Sequence, residues 1–160
     1  MACIMRTVLQ YEDKNDCGVA CVAMLAGVSY DIAAEAISKF GECDYVKRSC
    51  IIDALKTLGV TTVSDRLVSL RMSRRNFVKR SEISRNLAAL NADALLKLVR
   101  RDHKNGHWHW VVWDSCHNRI RDPLGDHKRS LCRVDAYIKI ANRRFGLRGN
   151  TRRFRSILRK

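Results

Sequence analysis

The chain has 160 residues, a net charge of +15 at pH 7 and 46% hydrophobic residues, typical of one globular domain that needs neither disulfide nor metal to fold. There is no run of 18 apolar residues and no signal-peptide core near the start, so the sequence predicts neither a membrane span nor export. Its seven cysteines have no paired spacing, which predicts a reducing, cytoplasmic location.

The first sixty residues show helical spacing of apolar side chains. One helix is expected to begin near Cys17, with Asn15 or Asp16 as its N-cap, and a second follows Ser29 as its cap. The segment "CIIDALKTLGV" predicts a third helix of the same kind. The residues expected to end the three helices are Gly27, Gly41 and Gly59. This pattern predicts an N-terminal helical lobe.

The pattern changes in the second half of the chain. Residues 64–86 are basic and weakly patterned, and no firm structure is expected for them. Short apolar runs follow in "ALLKLVRR" and "HWHWVVWD", and the turn sequence "DSCHN" leads to Arg119–Arg121. Alternation and turn chemistry together predict an antiparallel hairpin. We therefore expect an α+β fold in which the helical lobe packs against a C-terminal antiparallel sheet.

The C-terminal region is expected to hold one more helix and a basic tail. Apolar residues recur at helical spacing from Val134 to Phe145, which predicts a helix packed on the sheet. From Lys139 to Lys160 there are nine basic residues and no acidic one. We expect one domain over residues 1–146 and a tail over 147–160. The tail is suited to non-specific contact with nucleic acid or to an acidic protein partner.

Cys17 is the first candidate for chemistry. A helix N-terminus or a nearby imidazolium favours the thiolate, which is the reactive form of cysteine. Gly18 is expected to leave room for a substrate backbone beside the sulfur. Cys21, one helical turn further on, is expected to be a small buried hydrophobic residue instead.

A nucleophilic cysteine needs a base and a group that orients the base. His109, at the start of a predicted strand, is the candidate base, and Asp122, on the returning strand, is the candidate orienting group. Two alternatives remain open at this point. Asp122 could simply cap its Asp-Pro turn, and His109 could join His107 in a metal site completed by Cys116 or His117.

Trp108 and Trp110 alternate with the histidines along the same predicted strand. Tryptophans placed in this way commonly pack a sheet against a helix. They could also form a platform that binds peptide or stacks against bases. Both interpretations are compatible with the sequence.

The segments "LQYEDKNDCGVACVAML", "GHWHWVVWD" and "RIRDPLG" resemble the papain-like cysteine peptidases that remove double-glycine leader peptides from bacteriocin precursors, and their stand-alone relatives. The resemblance covers roughly residues 9–145. It implies a papain-like fold and hydrolysis of a peptide or isopeptide bond, without metal or organic cofactor. By the same resemblance, Cys17 is the nucleophile, His109 the base, Asp122 the third member of the triad and Gln10 an oxyanion donor. The alternative is a catalytically silent papain-like protein that binds nucleic acid or an acidic protein through its basic surface.

Overall fold

The computed structural model describes residues 5–11, 13–70, 77–101, 108–125 and 131–143. Its helices are α1 (Cys17–Ala26), α2 (Tyr30–Ser38), α3 (Arg48–Thr57) and α4 (Arg80–Ala88). Its strands are β1 (Val60–Thr62), β2 (Val68–Ser69), β3 (Ala94–Arg100), β4 (Trp108–Asp114), β5 (Arg119–Arg121) and β6 (Cys132–Arg143). The strands pair in the order β1-β6-β3-β4-β5, with β2 also on β6, and every pairing is antiparallel. The fold is mixed α+β with an open antiparallel sheet.

The N-terminal helical lobe is confirmed. α1 begins at Cys17 and ends at Gly27, whose left-handed φ of 67° is easily adopted by glycine. α2 begins after Ser29, which accepts a hydrogen bond from the backbone N–H of Ile32 at 3.4 Å. α2 ends at Ser38, before the expected Gly41. Apolar spacing, the Ser29 cap and the stop at Gly27 are therefore enough to predict α1 and α2.

The sheet has a hydrophobic core on each face. On one face α1, α2 and α3 pack against side chains of the central strands that include Leu95, Val112 and Ile138. On the other face Ile83 and Leu87 of α4 pack against Leu96, Leu98, Val111 and Trp113. Burial on both faces explains why β3 and β4 are almost continuously apolar.

The helix predicted from Val134 onward is wrong, because these residues form strand β6. β6 lies between β1 and β3 in the sheet, with β2 also paired to it, and its buried residues are mostly β-branched. The residues buried in it are Cys132, Val134, Ile138 and Ile140. The last predicted helical residue, Phe145, lies outside the described residues.

A bulge in β6 explains the helical spacing of its apolar residues. Lys97 pairs with Ala136 whereas Leu98 pairs with Val134, which leaves Asp135 without an opposite residue on β3. An extra residue of this kind changes the face to which the following side chains point. Val134 accordingly packs on the α4 face and Ile138 on the α1 face. Because β6 buries apolar residues on both faces of the sheet and contains a bulge, its apolar residues recur at the spacing expected for a helix.

Part of the basic stretch over residues 64–86 is ordered, contrary to expectation. β2 pairs with β6, and α4 buries Arg80, Ile83 and Leu87 on one side. The sheet is also not purely C-terminal, because β1 and β2 from the first half of the chain pair with β6. The predicted tail over residues 147–160 lies outside the described residues.

No single helix among the described residues is both long enough and apolar enough to span a membrane. α1 and α2 meet that test only when taken together, across a bend of 113°. In this structure most of α1 is buried in the protein core.

Candidate active site

Cys17 occupies the N-terminus of α1 and touches the edge of β4. Its sulfur accepts a hydrogen bond from the backbone N–H of Trp110, with an N to Sγ distance of 3.4 Å. β5 pairs only with residues 112–114 of β4, so it does not extend as far as Trp110. Cys17 therefore lies beside the part of the β4 edge that β5 leaves open. Its contact there, Trp110, directly follows His109 in the sequence.

His109 and Asp122 meet at this same end of the β4-β5 hairpin. The Nε2 atom of His109 lies 3.7 Å from Oδ2 of Asp122, and both side chains are buried. Because Val112 pairs with Arg121, the chain reaches Asp122 as it leaves β5 toward His109. The hairpin thus brings the predicted base and its predicted orienting carboxylate together.

Asp122 has two further partners. The guanidinium of Arg80, itself buried on α4, donates to Oδ2 of Asp122. The backbone N–H of Leu124 donates to Oδ1 at 2.9 Å. Asp122 therefore caps its turn and also faces the histidine strand, so the two interpretations of this residue are compatible.

Sequence reasoning missed Arg80 because it lies in the basic stretch that was left without a structure. Arg80, Ile83 and Leu87 are spaced by three and four residues, and all three are buried on α4. That spacing is the signal of one helix face. Nothing in the sequence indicates that this face would meet Asp122, which is 42 residues away.

Gln10 lies close to Asp122 through its backbone. Its N–H donates to the carbonyl of Pro123 at 3.0 Å. Its side-chain Nε2 donates to the carbonyl oxygen of Lys14 at 2.8 Å, and Oε1 is buried without a hydrogen-bond partner among the described residues. The structure thus places Gln10 at this end of the hairpin with its amide directed to Lys14, and its role as oxyanion donor stays a prediction.

Without a base to take its proton, the Cys17 thiol stays protonated at neutral pH. Burial raises its pKa to about 11, and the negative charges of Asp16 and Asp122 act in the same direction. Hydrogen bonds from the backbone N–H groups of Trp110 and Gly18 lower the pKa, but by less. The helix N-terminus alone therefore does not generate a thiolate here, and the sulfur needs a base to remove its proton.

Asp16 is a second buried carboxylate beside Cys17. It has no exposed surface and occupies the N-cap position of α1, but its side chain makes no capping hydrogen bond. The hydroxyl of Tyr30 donates to Oδ2 of Asp16 instead. This pair links α2 to the first turn of α1, where it fixes the position of the cysteine.

Gly18 is required for packing, which corrects the expectation that it leaves room for substrate. A Cβ atom at this position would lie 2.8 Å from Cβ of Val46 and 3.1 Å from Cδ1 of Ile51. Gly18 is buried, so it faces the protein core. Cys21 is fully buried as predicted.

The two tryptophans have different environments. Trp110 is buried, and its indole N–H donates to the carbonyl of Val46 at 3.3 Å. Trp108 is 44% exposed and stacks edge-on against Trp110 with ring centroids 5.0 Å apart. The core interpretation is therefore confirmed for Trp110, whereas a binding platform at the partly exposed Trp108 stays a prediction.

The alternative metal site has no support from the part of the chain that the structure describes. No group of three or more His, Cys, Asp or Glu side chains there could hold a metal ion. Nδ1 of His117 lies 2.9 Å from Oδ2 of Asp114, which also pairs with Arg121. His107, the other predicted ligand, lies outside the described residues.

No family model, no curated protein and no solved structure matches this chain.

Proposed function

We propose that the protein is a papain-like cysteine peptidase that hydrolyses a peptide or isopeptide bond through Cys17, His109 and Asp122. One observation carries the proposal. The sulfur at the start of α1 is hydrogen-bonded to the residue that follows His109, and His109 in turn lies 3.7 Å from a buried Asp122. A cysteine at a helix N-terminus, a histidine on a strand and a carboxylate behind the histidine make up the nucleophile, base and orienting group of thiol hydrolysis.

In the proposed reaction His109 takes the thiol proton as the sulfur of Cys17 attacks the substrate carbonyl. The protonated imidazole then gives that proton to the leaving amine, and the C–N bond breaks to leave a thioester. Water, deprotonated by the same imidazole, releases the acid and restores the thiol. Asp122 orients the imidazole and stabilises its positive charge. The raised pKa of Cys17 makes the base indispensable.

Gln10 and the backbone N–H of Cys17 are the proposed donors to the oxyanion. The backbone N–H at the start of a helix is available for such a contact. The Gln10 amide has a second N–H besides the one given to Lys14. A substrate oxygen would need to lie within hydrogen-bond distance of that N–H.

The resemblance to double-glycine leader peptidases supports the same assignment, because the same residues carry it. A reducing cytoplasmic location also fits, since Cys17 would have to remain a free thiol, as it is in the structure. Neither metal nor organic cofactor takes part in the proposed steps.

Alkylation of Cys17 by iodoacetamide, measured from pH 5 to pH 11, tests the proposal. If His109 activates the thiol, the wild-type protein should show a reactive phase near neutral pH. The His109→Ala variant should lose that phase and react only as pH approaches the raised thiol pKa of about 11. Identical profiles for the two proteins would rule out activation by His109.

Turnover provides the second measurement. For a polypeptide that the wild-type protein cleaves, Cys17→Ala should abolish hydrolysis while the protein keeps its fold. Cys21→Ala should retain hydrolysis, because the Cys21 thiol is fully buried in the core. Equal activity of the wild-type and Cys17→Ala proteins would contradict the proposal.

A binding protein without turnover is the second candidate. It is favoured by the raised pKa of Cys17 and by the ion pair in which Arg80 already engages Asp122. Its basic surface would then contact nucleic acid or an acidic protein. An alkylation profile governed by the raised thiol pKa alone, together with salt-sensitive binding, would favour this function.

A further inference from the structure

A cavity of about 410 Å³ lies on the α1 side of the sheet, between the start of α3 and the first residues of β4. Its lining residues are Lys47, Arg48, Ser49, Leu67, Lys97, Trp108 and Trp110. The volume is within the range of small-ligand pockets and is large enough for an amino-acid side chain with its flanking backbone.

The walls of this cavity combine aromatic surface with positive charge. Three of the lining side chains are cationic and none is acidic. The Nζ atom of Lys97 lies 4.7 Å from the centroid of the Trp108 ring, which holds the ammonium group at the cavity wall. An anionic group with an apolar stem would find both matching surfaces here.

The cationic groups are available to a ligand. Among the described residues, no carboxylate lies within ion-pair distance of Lys47, Arg48 or Lys97. The pKa of Asp65 is lowered chiefly by its hydrogen bond from Lys56, and Arg48 makes only a smaller contribution. Within the described part of the chain, no ion pair therefore neutralises the positive charge of the cavity.

Trp110 connects the cavity to the candidate active site. Its indole ring lines the cavity, and its backbone N–H donates to the sulfur of Cys17. A ligand in contact with the indole thus touches the residue whose backbone N–H binds the proposed nucleophile. Its position fits a side-chain subsite next to the bond that is cut.

We propose that this cavity binds an acidic side chain, aspartate or glutamate, of the polypeptide substrate. The inference rests on the proposed peptidase function, because it assigns the cavity to a residue near the scissile bond. Arg48 and Lys97 would pair with the carboxylate, and the Trp108 ring would cover its methylene groups. The cavity then selects substrates by charge.

Binding to the full-length Cys17→Ala protein tests this without requiring turnover. We would use octapeptides of alanine and glycine in which one aspartate is moved through every position, and the matched asparagine series. Tryptophan fluorescence is a suitable signal because Trp108 and Trp110 form the wall. At one or two positions aspartate should bind about tenfold more tightly than asparagine, as expected for a charge-assisted hydrogen bond.

Charge variants locate the site. Lys97→Ala should remove most of the preference for aspartate, and Lys97→Glu should shift it toward the same peptides carrying lysine. The matched control is Arg85→Ala, which removes one exposed positive charge from α4 on the opposite face of the sheet. The control should keep the preference.

Three results would overturn the proposal. The first is equal affinity for aspartate and asparagine peptides, or no binding of either. The second is an equal loss of preference in Arg85→Ala and Lys97→Ala, which would mean that only net charge matters. The third is tight binding of a single-stranded oligonucleotide that Lys97→Glu abolishes while peptides stay unselected, which would assign the cavity to nucleic acid. The alkylation profile of Cys17 is measured separately, so failure of the subsite and failure of the peptidase function are distinguishable.

Discussion

The guanidinium of Arg80 on α4 donates to the same Asp122 oxygen that lies 3.7 Å from Nε2 of His109. Both members of the Arg80–Asp122 pair are buried, with side-chain exposures of 10% and 1%. A buried carboxylate requires such a partner, because an isolated charge is costly to remove from water. Arg80 therefore holds in place the carboxylate that lies beside His109.

Arg80→Met should lower the free energy of unfolding by about 3 to 5 kcal/mol, because it leaves Asp122 charged and buried without its partner. Asp122→Asn should also destabilise the protein, and the double variant should lose clearly less than the sum of the two single losses. Urea unfolding of the four proteins measures this coupling. Strict additivity would show that the two side chains do not depend on each other.

A matched control for that cycle is Arg85→Met, on the exposed side of the same helix. It removes the same kind of side chain without uncovering a buried charge, so its effect on stability should be small. Its alkylation profile at Cys17 should match the wild type. Arg80→Met should instead lose part of the neutral-pH reactivity, since the orientation of Asp122 would be relaxed.

The elements with strong local signals could be predicted from the sequence. α1 is an apolar segment that ends at Gly27, α2 begins after the Ser29 cap, and the β4-β5 hairpin joins its strands through a turn. Asn118 in that turn adopts a positive φ of 48°, a conformation that asparagine tolerates. These signals depend only on neighbours in the chain.

The errors arise where distant contacts decide the structure. The bulge at Asp135 gives β6 the apolar spacing of a helix, and only its partner strands identify it as β. Arg80 looks like one more surface charge until α4 packs against the sheet. Gly18 looks like an opening for substrate until Val46 is placed against it. Each error concerns residues far apart in the sequence.

Gly18→Ala should destabilise the protein by about 1 to 3 kcal/mol, although alanine usually stabilises a helix relative to glycine. The reason is that the new methyl group would lie 2.8 Å from Cβ of Val46. Because a Cβ atom is fixed to the backbone, only a shift of the backbone could relieve this overlap. Chemical denaturation measures the change. Alkylation of Cys17 should also slow, because the first turn of α1 must shift to admit the methyl group.

Gly27→Ala separates overlap from backbone strain. At this position φ is 67°, and apart from its chain neighbours no described residue has an atom within 4 Å of the added Cβ, so backbone strain is the main expected cost. That cost should be about 1 to 2 kcal/mol, with no effect on Cys17 alkylation. If Gly18→Ala proved as stable as the wild type, the packing role assigned to Gly18 would be wrong.

Removal of residues 147–160 should weaken binding to DNA and reduce its dependence on salt. The segment carries six basic residues and no acidic one, and fewer counterions are released when fewer phosphates are contacted. Titration of full-length and truncated protein against a DNA duplex at several salt concentrations measures the slopes. Peptidase activity on a short neutral peptide serves as the control and should not change. Identical slopes would show that the tail does not contact phosphates.

The raised pKa of Cys17 makes a prediction about alkaline stability. Burial raises this pKa from 9.0 to about 11, so the folded protein holds the thiol proton more tightly than the unfolded chain does. The resulting stabilisation is fully present below pH 9 and is lost as pH rises from 9 to 11, a change of roughly 2 kcal/mol. The difference in unfolding free energy between wild type and Cys17→Ala should therefore shrink over this range and then level off.

Cys21→Ala is the matched comparison, because burial raises the Cys21 pKa well above 9.0. Its difference from wild type should also begin to shrink near pH 9, because the unfolded chain loses the thiol proton before the fold does. Guanidinium unfolding of the three proteins from pH 7 to pH 11.5, followed by tryptophan fluorescence, measures both curves. Other groups that titrate at high pH are present in all three proteins, so their effects largely cancel in the differences. A constant gap between wild type and Cys17→Ala would mean that Cys17 ionises as easily in the fold as in the unfolded chain. His109 would then no longer be needed to explain a reactive sulfur.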